Sequence, residues 1–191
     1  MRTLPLIAGT FLSLAPLMAA ASTELITNGD FEAGLTGWTC SDADACGTDT
    51  FMGVFAGAAS WYGFDNNGFA TLSQSIATNV GATYDVSFWY QWAEPDVYEG
   101  NISTVDVGGT LLENLSNTTL SWTQVFASFV ADAAVSTLTF TFETDPGTGT
   151  LNLDNVSVME QMAPVPLPAS ALLLGGAIAG LGVMRRRRAR A

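Results

Sequence analysis

Between residues 22 and 160 the apolar positions recur every second residue in short runs, separated by Gly, Asn, Asp and Thr. In Thr83–Trp92, Tyr84, Val86, Phe88, Tyr90 and Trp92 alternate with Asp85, Ser87, Trp89 and Gln91, the period of a strand with one face buried. In Thr137–Glu143, Leu138, Phe140 and Phe142 share one face and Thr137, Thr139 and Thr141 the other. The same reading predicts strands over Leu25–Thr27, Phe51–Phe55, Ala70–Ile76, Ile102–Val107, Thr110–Leu115, Thr123–Val130 and Thr150–Val158. No long helical period interrupts them. Many short strands punctuated by turn residues predict an all-β, antiparallel sandwich.

The two ends break this pattern. Arg2 precedes an apolar run from Leu4 to Leu17 and the small-residue stretch Ala19-Ala20-Ala21. That is a signal peptide over 1–21, cut after Ala21. The other end reads Val165-Pro166-Leu167-Pro168-Ala169, then almost wholly apolar to Met184, then Arg185-Arg186-Arg187-Arg188-Ala189-Arg190-Ala191. As a helix, residues 165–184 are just long enough to cross a hydrocarbon core of about 30 Å, and the Arg cluster would stay cytoplasmic. The expected organisation is signal peptide 1–21, β-sandwich 22–160, Pro-containing linker and motif 161–168, transmembrane helix 169–184 and Arg-rich tail 185–191.

Motif, apolar segment and Arg cluster, in that order, closely resemble the VPLPA variant of the PEP-CTERM sorting signals of Gram-negative bacteria. The resemblance implies an exosortase-type transpeptidase as partner. The protein would sit transiently in the inner membrane, then at the cell surface or in the extracellular matrix. Leu167 stands where the commoner form has Glu. A plain, uncleaved membrane anchor is the alternative reading.

Charge divides the chain more sharply than hydropathy does. The 6 basic residues are Arg2, Arg185, Arg186, Arg187, Arg188 and Arg190, and all 18 acidic residues lie from Glu24 to Glu160. The central domain thus carries 18 carboxylates and no Lys, Arg or His, a formal −18 that the whole-chain −12 conceals. Nucleic acid is excluded as a partner, since no cation is present to neutralise phosphate. Without His or Lys there is no Ser-His or Cys-His nucleophile pair and no Schiff-base chemistry. A two-carboxylate glycoside hydrolase is the one enzymatic mechanism left. The 2 cysteines, Cys40 and Cys46, read as a disulfide closing one small loop, worth roughly 2 kcal/mol by chain entropy.

Within the domain, Leu25-Ile26-Thr27-Asn28-Gly29-Asp30-Phe31-Glu32 followed by Gly37-Trp38 resembles the opening of family 4/9 carbohydrate-binding jelly rolls, part of the galactose-binding-like β-sandwich group. Tyr84-Asp85-Val86-Ser87-Phe88-Trp89 resembles a central strand of that group. Trp122-Thr123-Gln124 leading to Phe129 fits a later strand, and Leu151-Asn152-Leu153-Asp154-Asn155-Val156-Ser157-Val158 the closing one. The resemblance implies a jelly-roll sandwich and a structural Ca²⁺ between the first and last strands. Glu32 and Asp154 fall on the matching positions, with Asp30 a third candidate. The other reading is that Asp154 caps a turn or bulge and Glu32 is solvated. Asp42, Asp44 and Asp49 form a second acidic cluster, read as a solvated loop.

Sugars are recognised by aromatic faces against the apolar side of the ring, with amides and carboxylates taking the hydroxyls. Two segments offer that mixture: Trp61-Tyr62-Gly63-Phe64-Asp65-Asn66-Asn67, expected on a loop, and Trp89 to Glu99. The candidate carbohydrate-binding residues are Trp61, Tyr62, Trp92 and Tyr98, each of which could instead belong to the core. The expectation is a non-catalytic surface protein whose domain binds extracellular polysaccharide. The alternative is a matrix protein with calcium-dependent protein contacts.

Overall fold

The computed structural model describes residues 22–49, 54–63, 69–92, 102–116, 119–143, 150–162, 175–178 and 185–186. The chain divides into two compact units, 1–161 and 162–191. The expected signal peptide, 1–21, lies outside the described residues, as do the Val165–Ala169 motif and nearly all of the 169–184 segment. In the second unit 175–178 and 185–186 are helical. Among the described residues no helix is long and apolar enough to cross a membrane.

The first unit is built from β1 (Thr39–Cys40), β2 (Cys46–Asp49), β3 (Ser60–Gly63), β4 (Phe69–Ala77), β5 (Thr83–Trp92), β6 (Ile102–Val107), β7 (Thr110–Asn114), β8 (Thr123–Val130), β9 (Val135–Glu143) and β10 (Leu151–Glu160). They form two five-stranded antiparallel sheets. The front sheet runs β2-β3-β10-β5-β8 and the back sheet β1-β4-β9-β6-β7. This is the all-β antiparallel sandwich that the alternation predicts. Strands β5, β6 and β8 have the expected bounds, and β4, β7, β9 and β10 differ by a residue or two at their ends.

The core is the inward half of each alternation. On β5, Tyr84, Val86, Phe88, Tyr90 and Trp92 are all buried, facing Leu138, Phe140 and Phe142 of β9. Phe88 meets Phe140 edge-on at 5.0 Å between ring centroids. Trp61 meets Phe142 in the same way at 5.1 Å. Edge-to-face contacts put the positive ring edge on the negative ring face and add about 0.5–1.5 kcal/mol to the burial itself.

Three expectations need correction. Leu25–Thr27 is not a strand: the isolated bridge here, Glu24 to Met159, falls just before it, and the Leu25 N–H donates to the Val158 carbonyl at 3.0 Å. The buried Gln74 carboxamide takes the place of a neighbouring backbone, accepting from the Thr27 N–H at 2.7 Å and donating to the Thr27 carbonyl at 3.0 Å. Of the expected strand Phe51–Phe55, residues 51–53 lie outside the description and Phe55 sits in a bend. Trp61-Tyr62-Gly63, expected on a loop, is strand β3, where the same residues that suit a turn instead pair with β2 and β10.

Cys40 and Cys46 are disulfide-bonded, with Cα atoms 6.3 Å apart. Because β1 pairs with β4 and β2 with β3, this bond staples the back sheet to the front sheet along one edge.

Candidate ligand face on the front sheet

Strand alternation decides what the front sheet shows to solvent. On β5 the outward residues are Asp85, Ser87, Trp89 and Gln91, since their neighbours are the buried ones. On β8 they are Gln124, Phe126 and Ser128. On β10, Leu151 and Leu153 point into the core, so Asn152 and Asp154 point to the outer face. The ladder sets Trp89 opposite both Asp154 and Gln124, and Gln91 opposite Asn152, which is itself opposite Tyr62.

An aromatic cluster occupies this face. Phe55 stacks on Trp89 with centroids 3.9 Å apart and ring planes 17° from parallel. Trp122 leans on Phe55 at 5.9 Å. Phe55 is 37% exposed and Phe126, two residues along β8 from Gln124, is 73% exposed. Large aromatic rings held in the open on a regular strand are unusual, because a sheet that only needs a core places polar residues there.

Two carboxylates hold Phe55 in place. Asp154 Oδ2 accepts from the N–H groups of Phe55 and Ala56, each at 3.1 Å, and Oδ1 accepts from the Asn155 N–H at 2.7 Å. Glu32 Oε1 accepts from the N–H groups of Ala58 and Ala59. The loop 55–59 is thus gripped at both ends. Gly57 between them has φ +77°, and a Cβ there would collide with the Glu32 carboxylate. Asp154 is itself carried by an irregularity in β10: the register with β5 shifts between Asp154 and Ser157, Asn155 takes φ 49°, and the Val156 N–H donates to the Gly29 carbonyl at 2.9 Å. A Cβ on Gly29 would collide with the Val156 carbonyl, so the approach requires glycine.

Burial holds the Asp154 carboxyl above its ordinary value; the N–H donors of Ala56, Asn155 and Phe55 oppose that rise, and the charge of Glu32 adds to it. The structure therefore brings Glu32 and Asp154 to one loop. Asp30 instead stays exposed and accepts from the Glu32 N–H in its own turn. Among the described residues no group of three or more His, Cys, Asp and Glu that could hold a metal ion is found, so Glu32 and Asp154 stand as a pair. In the cysteine loop, Asp42 and Asp44 are exposed, with Asp42 Oδ1 accepting from the Asp44 N–H; the Asp49 side chain lies outside the description.

The expected sugar-binding tryptophans are corrected by the same alternation. Trp61 and Trp92 are 0% exposed, so neither offers a face for a sugar to stack on. Tyr62 is half-buried on the front face and covers Gly47. Tyr98 lies outside the described residues. The aromatic face belongs instead to Phe55, Trp89, Trp122 and Phe126. For Trp89 the signal was in the sequence: it alternates with Trp92's face, so if Trp92 completes the buried set, Trp89 must point out.

No protein-family model matches the chain. A curated relative, Exochitinase 1 of Streptomyces olivaceoviridis, is 28% identical over 147 residues; these are 77% of this chain but 23% of the relative. Among solved structures, a family 61 carbohydrate-binding module in complex with β-1,4-galactotriose aligns with TM-score 0.56 and 19% identity, over 73% of this chain and 100% of the module. The CBM22-1 xylan-binding domain of Paenibacillus barcinonensis Xyn10C aligns with TM-score 0.55 and 15% identity, over 76% of this chain and 99% of the domain. A Stig cyclase of Fischerella sp. TAU aligns at TM-score 0.53 and 15% identity, over 75% of this chain and 100% of the cyclase. These likenesses establish a jelly-roll β-sandwich, a fold that serves binding modules and enzymes alike.

Proposed function

We propose that the domain is a non-catalytic carbohydrate-binding module and that its ligand face is the outer face of the front sheet. The observation that carries this is the Phe55–Trp89–Trp122 cluster with Phe126 beside it, set among the carboxamides of Gln91 and Gln124, with the buried Asn152 amide in the row beside Gln91. Flat aromatic faces take the apolar side of sugar rings, and amides take hydroxyls as donor and acceptor at once. Modules crystallised with galactotriose and named for xylan share the fold, and a chitinase contains a related stretch; all three point to polysaccharide as the ligand class.

The proposal includes three further parts. The domain is exported by its leader and sorted by its VPLPA-type tail to the cell surface or matrix. It performs no hydrolysis: Glu32 and Asp154, the two carboxylates that share the 55–59 loop, serve to hold that loop through its backbone N–H groups. Glu32 and Asp154 would hold a Ca²⁺: the donors are all oxygen, which suits a hard cation, and two carboxylates share one loop in a domain without a single basic residue. Bound there, the ion would neutralise the pair.

Affinity electrophoresis of the purified full chain through gels containing different polysaccharides tests the reading. Retardation in at least one gel, lost in Trp89→Ala, is expected. Equal mobility in every gel, from protein with a native circular-dichroism spectrum, would sink it. Release of reducing sugar would overturn the non-catalytic part alone.

A further inference from the structure

The front face carries a second message, about the charge of what it binds. We infer that the glycan taken by the Trp89 face has no acidic groups, and that a hexosamine polymer with free amino groups is preferred to a neutral one. This rests on the carbohydrate-binding reading above.

Two observations carry it. The first is charge. From Glu24 to Glu160 there are 18 carboxylates and no Lys, Arg or His, so no side chain in the domain can pair with a uronate or a sulfate. Asp85 is exposed on the same face of β5 as Trp89. An anionic sugar stacked on Trp89 would meet repulsion without a compensating contact. An ammonium group on the sugar would meet attraction from Asp85 and from the domain's net negative field, weakening as salt screens it.

The second observation is Asn152. It is 0% exposed, yet neither its amide nitrogen nor its amide oxygen has a hydrogen-bond partner. Such a group costs free energy unless something completes it. It stands in the row Tyr62–Asn152–Gln91, one position along β10 from Leu153 and two from Asp154. Its oxygen accepts and its nitrogen donates, so it can complete a hydroxyl or an amino group of a sugar; the preference for the amine comes from the charge, not from this amide. No cationic side chain accompanies it that would match a carboxylate.

The test measures retention of the purified full chain, in EDTA, on three matrices: partially deacetylated chitin, a neutral β-1,4-glucan and a polyuronate. Each is run at about 0.02 M and about 0.5 M salt, where the screening length falls from roughly 20 Å to roughly 4 Å. Phe126→Ala, whose side chain lies outside the core, runs beside the wild type, with Trp89→Ala as the stronger variant. The expected result is retention on the amine-bearing polymer at least about tenfold above the neutral one at low salt, narrowing at high salt, and none on polyuronate. In both variants retention on the first two matrices should fall. Chelator-resistant retention on polyuronate, or tighter binding to the neutral glucan at low salt, overturns the inference while leaving the carbohydrate-binding reading standing. Retention on the amine-bearing polymer that neither variant changes also overturns it, as simple ion exchange. No retention on any matrix overturns both.

Discussion

The two sheets bury similar side chains but present different ones. Across the middle of β4 and β9 the back sheet shows solvent a lattice of hydroxyls: Thr71, Ser73 and Ser75 stand opposite Thr141, Thr139 and Thr137, and the Ser75 and Thr137 hydroxyls bond at 2.9 Å; its large exposed apolar side chains, Phe69, Leu111 and Val135, stand singly at strand ends or on the β7 edge. The front sheet shows Trp89 and Phe126 on its outward face, with Phe55 stacked on Trp89, Trp122 against Phe55, and Phe126 open to solvent. Threonine satisfies strand propensity at a solvated site without exposing a large apolar surface. Tryptophan and phenylalanine satisfy it too, but leave rings in water. What separates the two faces is clustering: Phe55, Trp89 and Trp122 gather on the front face, while the middle of the back face is hydroxyl.

The comparison can be sharpened first inside the front sheet. Trp61→Ala removes a wholly buried ring and should cost about 3–5 kcal/mol, read from the midpoint of denaturant unfolding. Trp89→Ala should instead spare most of the stability and weaken polysaccharide retention by about tenfold, ~1.4 kcal/mol. If the two variants lose stability equally, the distinction between core and face aromatics is wrong.

Asn152→Leu should raise stability by about 1 kcal/mol, because it removes two unpaired buried polar atoms, while weakening retention. Marked destabilisation would show that the amide is satisfied in the folded protein.

A subtler effect comes from Asp154. Its carboxyl is raised above 3.8 by burial, so between 3.8 and its folded value the native state binds more protons than the unfolded chain. Stability should then grow as pH falls through that window and decline as pH rises through the folded value. Thermal melts in chelator at stepped pH check this, with Asp154→Asn expected to flatten the trend. A Tm that drops on mild acidification from neutral would contradict it.

The smallest effect is on the other face. Thr139→Val should change stability by less than about 0.5 kcal/mol and leave retention untouched. Loss of retention there would mean that the hydroxyl lattice, not the aromatic face, is the ligand surface.

The long strands were legible because each has one wet face and one dry one, so Tyr84 to Trp92 and Leu138 to Phe142 announce themselves by alternation. The short ones were not. β1 and β2 have 2 and 4 residues, too few for a period to appear, and β3 reads as a turn because Gly63 ends it. The cysteine pair was legible from spacing, but its role in joining the two sheets was not, because that depends on which partners β1 and β2 choose. For the candidate site, Glu32 and Asp154 could be matched to known motifs. Phe55 could not: it is brought to Trp89 by hydrogen bonds from a loop to a residue 99 positions away. Trp61 and Trp92 misled because aromatic content alone does not separate a core ring from a ligand ring; the parity of the strand does.

The strand order has a mechanical consequence. β10 is the last strand of the sandwich and lies at the centre of the front sheet, antiparallel to β3 on one side and β5 on the other. The ladder continues to the Gln161 N–H, which donates to the Thr83 carbonyl at 2.8 Å. Tension applied along the chain beyond Met162 would therefore pull β10 lengthwise between two neighbours. Both ladders would have to shear at once rather than unzip bond by bond. If the chain is tethered through its C-terminal end while the Trp89 face grips a polymer, the load path runs straight through a central strand of the ligand-bearing sheet.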